Sequence, residues 1–313
     1  MSTPHPLPVV AAVDGSDDSK RALEWALADA ARRGVELRIV HVRQYAPRLQ
    51  ADVLVAGPDE PADDRVIGDV RKALEAREGL PPLEFISRDG LPAAVLPEMS
   101  AEAQLLVLGS RGRGGFASLL LGSNGVAAAR DAHCPVVVVP PPGRAVHGDT
   151  PVPPGPRVVV GLQPDEAADP DETVLGFAFE HAARGGARLQ VVAAYPWPVL
   201  AWSAFGDFAP TTVDQEAAEQ ETLRLAEAAV TERRKSHPDV EVDLYVAPGD
   251  AAGHLVANSR DADLVVVGRH RRRFTRPAPI LGSVTQAVLL HAASPVAIVP
   301  PGPALTEEER ELR

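Results

Sequence analysis

Short apolar runs rich in valine alternate with longer amphipathic stretches along this chain. The runs at 9–13, 105–108 and 135–139 predict buried strands. The stretch 19–33 carries apolar residues at helical spacing and ends at Gly34, which predicts a helix closed by a glycine C-cap. Strands that alternate with helices are typical of a parallel sheet covered on both faces. The pattern predicts a doubly wound α/β fold.

The same order of elements occurs a second time in the chain. Gly90 and Gly109 recur as Gly249 and Gly268, each 159 residues later, whereas Gly122 recurs as Gly282, 160 residues later. A duplication followed by one insertion between the last two positions explains this spacing. We therefore expect two tandem Rossmann-like domains, each with a five-stranded, mainly parallel sheet.

A run rich in proline and glycine separates the two copies. It predicts a stiff, extended linker over residues 141–156. The expected organisation is a first domain at 1–140, the linker, a second domain at 157–303 and a charged tail at 304–313.

Composition excludes several classes of function. The chain has 313 residues, of which 45% are hydrophobic and 24% charged, and its formal net charge is −12. An acidic surface disfavours nucleic acid as a partner, and no apolar run is long enough to predict a membrane span. The beginning of the chain lacks the pattern of a secretory signal, and the single Cys134 suits a reducing compartment. We expect a cytoplasmic protein in which Cys134 is buried.

The first strand is followed by a carboxylate, Asp14, in the run Asp14-Gly15-Ser16. A carboxylate at the end of a strand can accept hydrogen bonds from ribose hydroxyls or from an adenine amine. The same letters also suit a plain turn and a helix N-cap. Both interpretations stay open for Asp14, whereas residues 16–19 are expected to cap the helix in either case.

A spaced set of glycines follows the fourth strand, in the pattern Gly109-x2-Gly112-x9-Gly122-Ser123. Glycines allow backbone N–H groups to approach an anion, and the start of a helix favours phosphate. The alternative is a flexible loop in which Ser123 is only an N-cap. In a parallel sheet this loop, Asp14 and Val42 all fall at strand ends and are expected to converge on one crevice.

Three other nucleotide or catalytic motifs fail against these letters. The dinucleotide-like run that starts at Gly112 follows the fourth strand rather than the first. The chain contains no Gly-Lys-Ser or Gly-Lys-Thr triplet, so a Walker A loop is excluded. A nucleophile elbow at Ser110 requires glycine where Leu108 stands.

The combined set resembles the universal stress protein family over nearly the whole chain, twice. The residues that carry the resemblance are Val13-Asp14-Gly15-Ser16, Ala22-Leu23 with Trp25-Ala26, Gly109-Ser110-Arg111-Gly112, Leu121-Gly122-Ser123 and the final strand at 135–139. The family's spaced glycines mark the members that bind ATP. The resemblance therefore implies a tandem member with an adenine nucleotide α-hydrolase-like fold.

The resemblance also implies a set of ligand-binding residues. It assigns Asp14 and the backbone of Val42 to adenine and ribose and Gly109 to the ribose side. It assigns Gly112, Gly122, Ser123 and Asn124 to the phosphates of ATP, bound with Mg²⁺. Asn124-Gly125 stands where the family usually has valine followed by serine or threonine, which removes a hydroxyl contact.

The second copy departs further from the family pattern. Gln163 stands in place of Asp14, and Arg271 replaces the glycine equivalent to Gly112. The basic run 269–276 is either a solvated loop or a binder of phosphate or acidic partners. We expect the first domain to bind ATP and the second to bind it weakly or not at all.

The function implied is that of a nucleotide-dependent stress or regulatory factor with an unidentified regulatory protein as partner. No catalytic residue is assigned, and at most slow ATP hydrolysis is expected. The alternatives are an adenylating enzyme of the nucleotide α-hydrolase type and an interaction scaffold that binds no nucleotide. The final strands, 135–139 and 295–299, are expected to pair the two domains as an intrachain pseudo-dimer, and a homodimer is a further option.

Overall fold

A computed structural model describes residues 6–44, 64–112, 121–146, 154–163, 171–195, 200–202, 208–210, 215–269 and 281–302 of the chain. The chain divides into two compact units, residues 1–141 and 142–313. Each unit contains five strands that pair in parallel, with helices on both faces, so the predicted doubly wound α/β architecture is confirmed.

The sheet of the first unit has the strand order β3-β2-β1-β4-β5, and all its pairings are parallel. Its strands and helices are β1 (Val9–Ala12), α1 (Asp17–Arg33), β2 (Leu37–Arg43), α2 (Arg65–Glu75), β3 (Leu83–Asp89), α3 (Pro92–Met99), β4 (Leu105–Gly109), α4 (Ser123–Asp131) and β5 (Val136–Val139). Parallel crossovers are right-handed, so α1 and α2 cover one face while α3 and α4 cover the other. The strand order reverses between β1 and β4.

The second unit repeats this order, as the duplicated sequence predicts. Its sheet runs β10-β7-β6-β11-β12, again with parallel pairings only. The elements are β6 (Arg157–Leu162), α5 (Asp171–Gly185), β7 (Arg188–Tyr195), β8 (Leu200–Trp202), β9 (Phe208–Pro210), α6 (Gln215–Ser236), β10 (Val242–Pro248), α7 (Ala251–Asn258), β11 (Leu264–Gly268), α8 (Ser283–His291) and β12 (Val296–Val299).

The central strands of both sheets form the cores. Val9, Ala11 and Leu105 of the first unit have no solvent exposure, and neither have Val158 and Leu264 of the second. Such uninterrupted apolar strands are typical of sheets covered on both faces. Cys134 is buried at the entry to β5, as predicted.

Side-chain caps set helix boundaries that differ slightly from those predicted. Ser16 accepts a hydrogen bond from the backbone N–H of Ser19, so α1 begins at Asp17 rather than at residue 19. Asp64 caps α2 in the same way, at Val66 and Ile67, and it also accepts from His41 Nδ1 at 2.7 Å. A capped end fixes the first residue that can adopt helical dihedrals.

One feature of the second unit was not predicted. Two short antiparallel strands, β8 and β9, are present in the aromatic segment 195–208. Its concentration of aromatic residues suits either a buried clasp or an exposed partner surface. Much of it lies outside the described residues, and neither interpretation is tested.

The linker region is also described in part. Arg144 Nη1 donates to the carbonyl oxygens of Leu289 and Ala292, at 3.5 and 3.2 Å, at the end of α8. A cation at the carboxyl end of a helix stabilises carbonyls that have no partner inside the helix. This part of the linker is therefore attached to the second unit.

In each unit a buried serine hydroxyl accepts a hydrogen bond from a backbone N–H just before the last strand. Ser100 Oγ accepts from the backbone N–H of His133 at 2.8 Å, and Ser259 Oγ accepts from that of Ala293 at 2.9 Å. Each serine links the end of one helix to the entry of the last strand. The duplication thus extends to individual hydrogen bonds.

Replacing Ser100 or Ser259 by alanine is expected to lower the free energy of unfolding by about 1–2 kcal/mol, because a buried N–H loses its acceptor. Urea titration measures the effect. Ser236→Ala, at an exposed serine on α6, serves as control and is expected to change stability by less than about 0.5 kcal/mol. Equal effects at the buried and exposed serines contradict the expectation.

Candidate functional site

The candidate site lies at the carboxyl ends of β1 and β4 in the first unit. β1 pairs with β2 on one side and with β4 on the other, and α1 and α4 leave on opposite faces of the sheet. A crevice opens in doubly wound sheets where neighbouring connections diverge in this way. Asp14, the start of the glycine loop and the beginning of α4 all lie at this crevice.

Asp14 stabilises the turn after β1, and Ser16 caps α1, as one of the two interpretations predicts. Asp14 Oδ1 accepts from the backbone N–H of Ser16 at 2.9 Å and from its hydroxyl at 2.6 Å. Gly15 adopts a positive φ of 80°, which favours glycine. The other carboxylate oxygen, Oδ2, lies toward Gly112 of the glycine loop: a Cβ at Gly112 would be 2.6 Å from it. The turn therefore also orients a carboxylate toward the loop.

Gly109 is required by packing. A Cβ at Gly109 would lie 2.6 Å from the backbone carbon of Asp18 and 2.7 Å from its carbonyl oxygen. Two backbones approach here too closely for any side chain, so a substitution requires β4 or α1 to shift. This role is independent of any ligand.

Asp18 anchors the glycine loop to α1. Its side chain is buried and its Oδ2 accepts from Ser110 Oγ at 2.9 Å and from Arg111 Nε at 3.2 Å. Arg21 pairs with the other carboxylate oxygen. Burial disfavours the charged form of Asp18, but the hydrogen bonds from Arg111 and Ser110 outweigh it and hold the pKa of Asp18 below its ordinary value. The anchor is thus an ionised carboxylate.

Gly122, at the end of the glycine loop, is hydrogen-bonded to the start of the same loop. Its backbone N–H donates to the carbonyl oxygen of Ser110 at 2.8 Å, and it precedes Ser123, the first residue of α4. No side chain caps this helix. The first N–H groups of a helix have no partner within it. Ser123 and Asn124 therefore begin a helix whose end can receive an anion.

Gly122 itself has no structural need to be glycine among the described residues. Its φ of −78° and ψ of 157° suit any residue. A Cβ would have its nearest neighbour, the carbonyl oxygen of Ser110, at 3.6 Å, which is ordinary contact. Gly125 differs, because its Cβ would lie 2.8 Å from the side chain of Leu121. The Leu121 atom is the end of a flexible side chain, so packing against Leu121 only disfavours a larger residue at position 125.

Val42 lies at the same edge of the sheet, on the far side of β1. Val40 pairs in register with Ala12, and Val42 is two residues further along β2. Its side chain is buried, so only its backbone is available to a ligand. The structure thus brings Asp14, Gly109, Gly112, Gly122 and Ser123 into one loop cluster, with Val42 one strand away.

Comparison with known proteins identifies this arrangement. The model of the universal stress protein family matches residues 7–140 and again 156–300. The chain belongs to the universal stress protein family. It is also 34% identical over 304 residues to Universal stress protein Rv2005c of Mycobacterium tuberculosis, an alignment that covers 93% of this chain and 96% of that protein. A universal stress protein of Mycolicibacterium smegmatis is 30% identical, with 94% and 97% covered.

Solved structures of the family share the fold. A putative universal stress protein from Pseudomonas aeruginosa superposes with a TM-score of 0.64 at 15% identity, covering 95% of this chain and 94% of that one. One from Archaeoglobus fulgidus gives a TM-score of 0.59 at 19% identity, with 94% and 98% covered. Both likenesses extend over the tandem chain.

The second unit keeps the family's architecture but changes the crevice. Gln163 follows β6 where Asp14 follows β1. Gly268 ends β11, and a Cβ there would be 3.1 Å from Val174 of α5 rather than against a helix backbone. Thr285 Oγ1 donates to the carbonyl oxygen of Gly268 at 2.8 Å. Arg271 and most of the basic run 269–276 lie outside the described residues.

Sequence reasoning missed the loop anchor. Asp18 follows Asp17 at the start of a helix, where two acidic residues are expected to be exposed to solvent. Ser110 and Arg111 are the two residues between Gly109 and Gly112, for which the glycine pattern requires no particular residue type. A carboxylate at helix position two is usually an exposed partner of the helix dipole. Here the close approach of β4 buries it.

Two features are absent from the described parts of the chain. Within them, the helices include none long and apolar enough to cross a membrane. The same residues contain no group of three or more His, Cys, Asp or Glu side chains arranged to hold a metal ion.

Replacing Asp18 by asparagine is expected to lower the free energy of unfolding at pH 7 by about 2 kcal/mol, because hydrogen bonds to a charged acceptor are lost. The pKa of Asp18 is depressed in the folded state, so its stabilisation is present above the ordinary aspartate range near pH 4 and is lost as pH falls through the folded value. The difference between wild type and Asp18→Asn should therefore shrink in acid.

Urea titrations between pH 3 and pH 7 measure this difference. Asp17→Asn is the matched control, since Asp17 is the exposed neighbour paired with Lys20, and no measurable change is expected there. A deficit for Asp18→Asn that persists unchanged at low pH argues against the ionised anchor.

Proposed function

We propose that the first unit binds ATP with Mg²⁺ in the crevice between β1 and β4, and that the protein acts as a nucleotide-dependent stress or regulatory factor. The observation that carries the proposal is Gly122. Neither its dihedral angles nor its surroundings require glycine, yet it stands where the loop meets an uncapped helix start. A ligand that approaches the backbone closely explains the missing side chain.

The phosphates are proposed to bind at the beginning of α4. The N–H groups of Ser123 and Asn124 and the positive end of the helix dipole favour an anion there. Gly112, which is exposed, would let the loop backbone approach the phosphates, while Gly109 would support the ribose side from below. Asp18 keeps the start of the loop fixed, so the binding groups are positioned before the ligand arrives.

The nucleoside is proposed to extend away from α4, over β1 toward β2. Asp14 lies between the phosphate loop and β2, where its carboxylate suits ribose hydroxyls or an adenine amine. The backbone of Val42 would then meet the base.

Mg²⁺ is proposed to arrive with the phosphates. Mg²⁺ retains several waters and usually takes only one or two protein oxygens beside phosphate oxygens. The hydroxyl of Ser123 is a suitable oxygen at the helix start, and no larger protein ligand set is required. The proposal assigns no catalytic residue, and at most slow hydrolysis of ATP is expected.

The second unit is proposed to bind ATP weakly or not at all. Gln163 cannot supply the charge of Asp14, so hydrogen bonds to ribose hydroxyls at that position would be weaker. A protein partner that distinguishes the nucleotide-bound first unit would complete a regulatory role.

Replacing Gly122 by valine is expected to weaken ATP binding at least tenfold while the fold is retained, because valine suits the extended dihedrals of this position. Isothermal titration with Mg-ATP measures the affinity, and circular dichroism measures the fold. Gly282→Val is the matched control, since Gly282 precedes α8 with φ −60° and ψ 154°. Unchanged affinity in Gly122→Val argues against the proposed site.

The stoichiometry of binding tests the asymmetry between the units. One ATP per chain is expected, and Asp14→Ala should abolish that binding while Gln163→Ala leaves it unchanged. Titration of both variants with Mg-ATP gives the number of sites and their affinity. Two equal sites per wild-type chain rule out the proposed asymmetry.

A further inference from the structure

Leu91 is an apolar side chain that is mostly exposed to solvent. It follows β3 and immediately precedes α3, and 67% of its surface is exposed. Among the described residues it is the most exposed of the large hydrophobic side chains. Burying an aliphatic side chain releases free energy in proportion to the area removed from water. An exposed leucine at a ligand crevice is therefore a candidate contact.

The duplicated chain supplies an internal comparison for this position. Asp250 is the equivalent residue of the second unit, and its side chain caps α7 by accepting from Ala252 N and Gly253 N, both at 3.0 Å. Leu91 occupies the same N-cap position of α3, with no side-chain cap. The backbone angles agree closely: φ −92° and ψ 119° at Leu91, φ −83° and ψ 110° at Asp250.

This agreement means that position 91 can hold a capping residue without rearrangement. Leucine is among the poorest N-cap residues, whereas serine, aspartate and asparagine are among the best. The first unit therefore forgoes a stabilising cap and instead presents an apolar side chain to solvent. The stability of the free protein therefore does not explain why leucine occupies position 91.

The position of Leu91 relative to the crevice suggests what it contacts. Gly90 donates its backbone N–H to the carbonyl oxygen of Arg43 at 3.1 Å, which holds the residue before Leu91 beside the end of β2, next to Val42. The helix start that suits phosphate belongs to α4, after β4. Neighbouring strands are about 4.8 Å apart, so β2 and β3 lie roughly 10–14 Å from β4. That separation is comparable to the length of a nucleotide, whose base end would reach Leu91.

We propose that Leu91 covers the purine base of the nucleotide bound in the first unit and contributes to selection of the base. The inference rests on the proposed function, because it presupposes a nucleotide with its phosphates at α4. The flat apolar face of a purine matches an exposed aliphatic side chain, and binding would bury surface that is exposed in the free protein. The second unit, with Asp250, lacks this contact.

Leu91→Ser tests the proposal, because serine removes the apolar contact, adds no charge and restores an N-cap. The variant should bind Mg-ATP about five- to tenfold more weakly, while its affinity for Mg-tripolyphosphate, which has no base, changes by less than about twofold. Its unfolding midpoint should rise by roughly 2 °C from the new cap. Isothermal titration and thermal unfolding measure the two effects.

Asp250→Leu is the matched control in the second unit. It should lower the unfolding midpoint by a similar amount and leave binding of Mg-ATP unchanged. Unaltered ATP affinity in Leu91→Ser, equal losses for ATP and tripolyphosphate, or a lowered midpoint each overturns the inference. Wild-type protein that binds neither ligand contradicts the proposed function itself, whereas wild-type binding with an unaffected Leu91→Ser contradicts only the role of Leu91.

Discussion

The contact between the end of β4 and the first turn of α1 is the constraint on which the candidate site depends. Gly109 lies against the backbone of Asp18, at a distance that excludes any Cβ. Three further positions on the same stripe of α1, at four-residue spacing, are the fully buried Ala22, Ala26 and Ala30. Small residues along one helix stripe allow the helix to lie close to the sheet, and this closeness buries Asp18.

Burial of Asp18 in turn determines where the glycine loop begins. A buried carboxylate is stable as an anion only if it is hydrogen-bonded. Ser110 and Arg111 supply these bonds, and the carbonyl oxygen of Ser110 then accepts from Gly122. Three hydrogen bonds therefore connect the packing contact at Gly109 and Asp18 to Gly122, the residue that precedes α4. Changes in α1 far from the crevice are expected to reach the loop by this route.

The sequence was sufficient for the parts of the fold that depend on local pattern. Valine-rich strands, the Gly34 C-cap and the internal repeat predicted the parallel sheets and their duplication, and the spaced glycines predicted a loop that meets Asp14. Asp18 escaped prediction because its burial depends on a tertiary approach between β4 and α1. Leu91 was not predicted because the sequence alone indicates only a turn at this position. Its exposure, and the contrast with the capping side chain of Asp250, become visible only in the structure. The roles in nucleotide binding stay predictions.

The duplication also limits what a glycine can signify. Gly268 keeps the position of Gly109, yet the atom that a Cβ would meet is the side chain of Val174 at 3.1 Å, so packing already disfavours a side chain there without any ligand. The glycine retained at position 268 therefore does not by itself indicate a second nucleotide site. Two positions at which the chemistry of the units differs are Asp14 against Gln163, and Leu91 against Asp250. At both, the first unit has the side chain to which the proposed nucleoside contacts are assigned, whereas at position 250 the second unit has a side chain that caps its own helix.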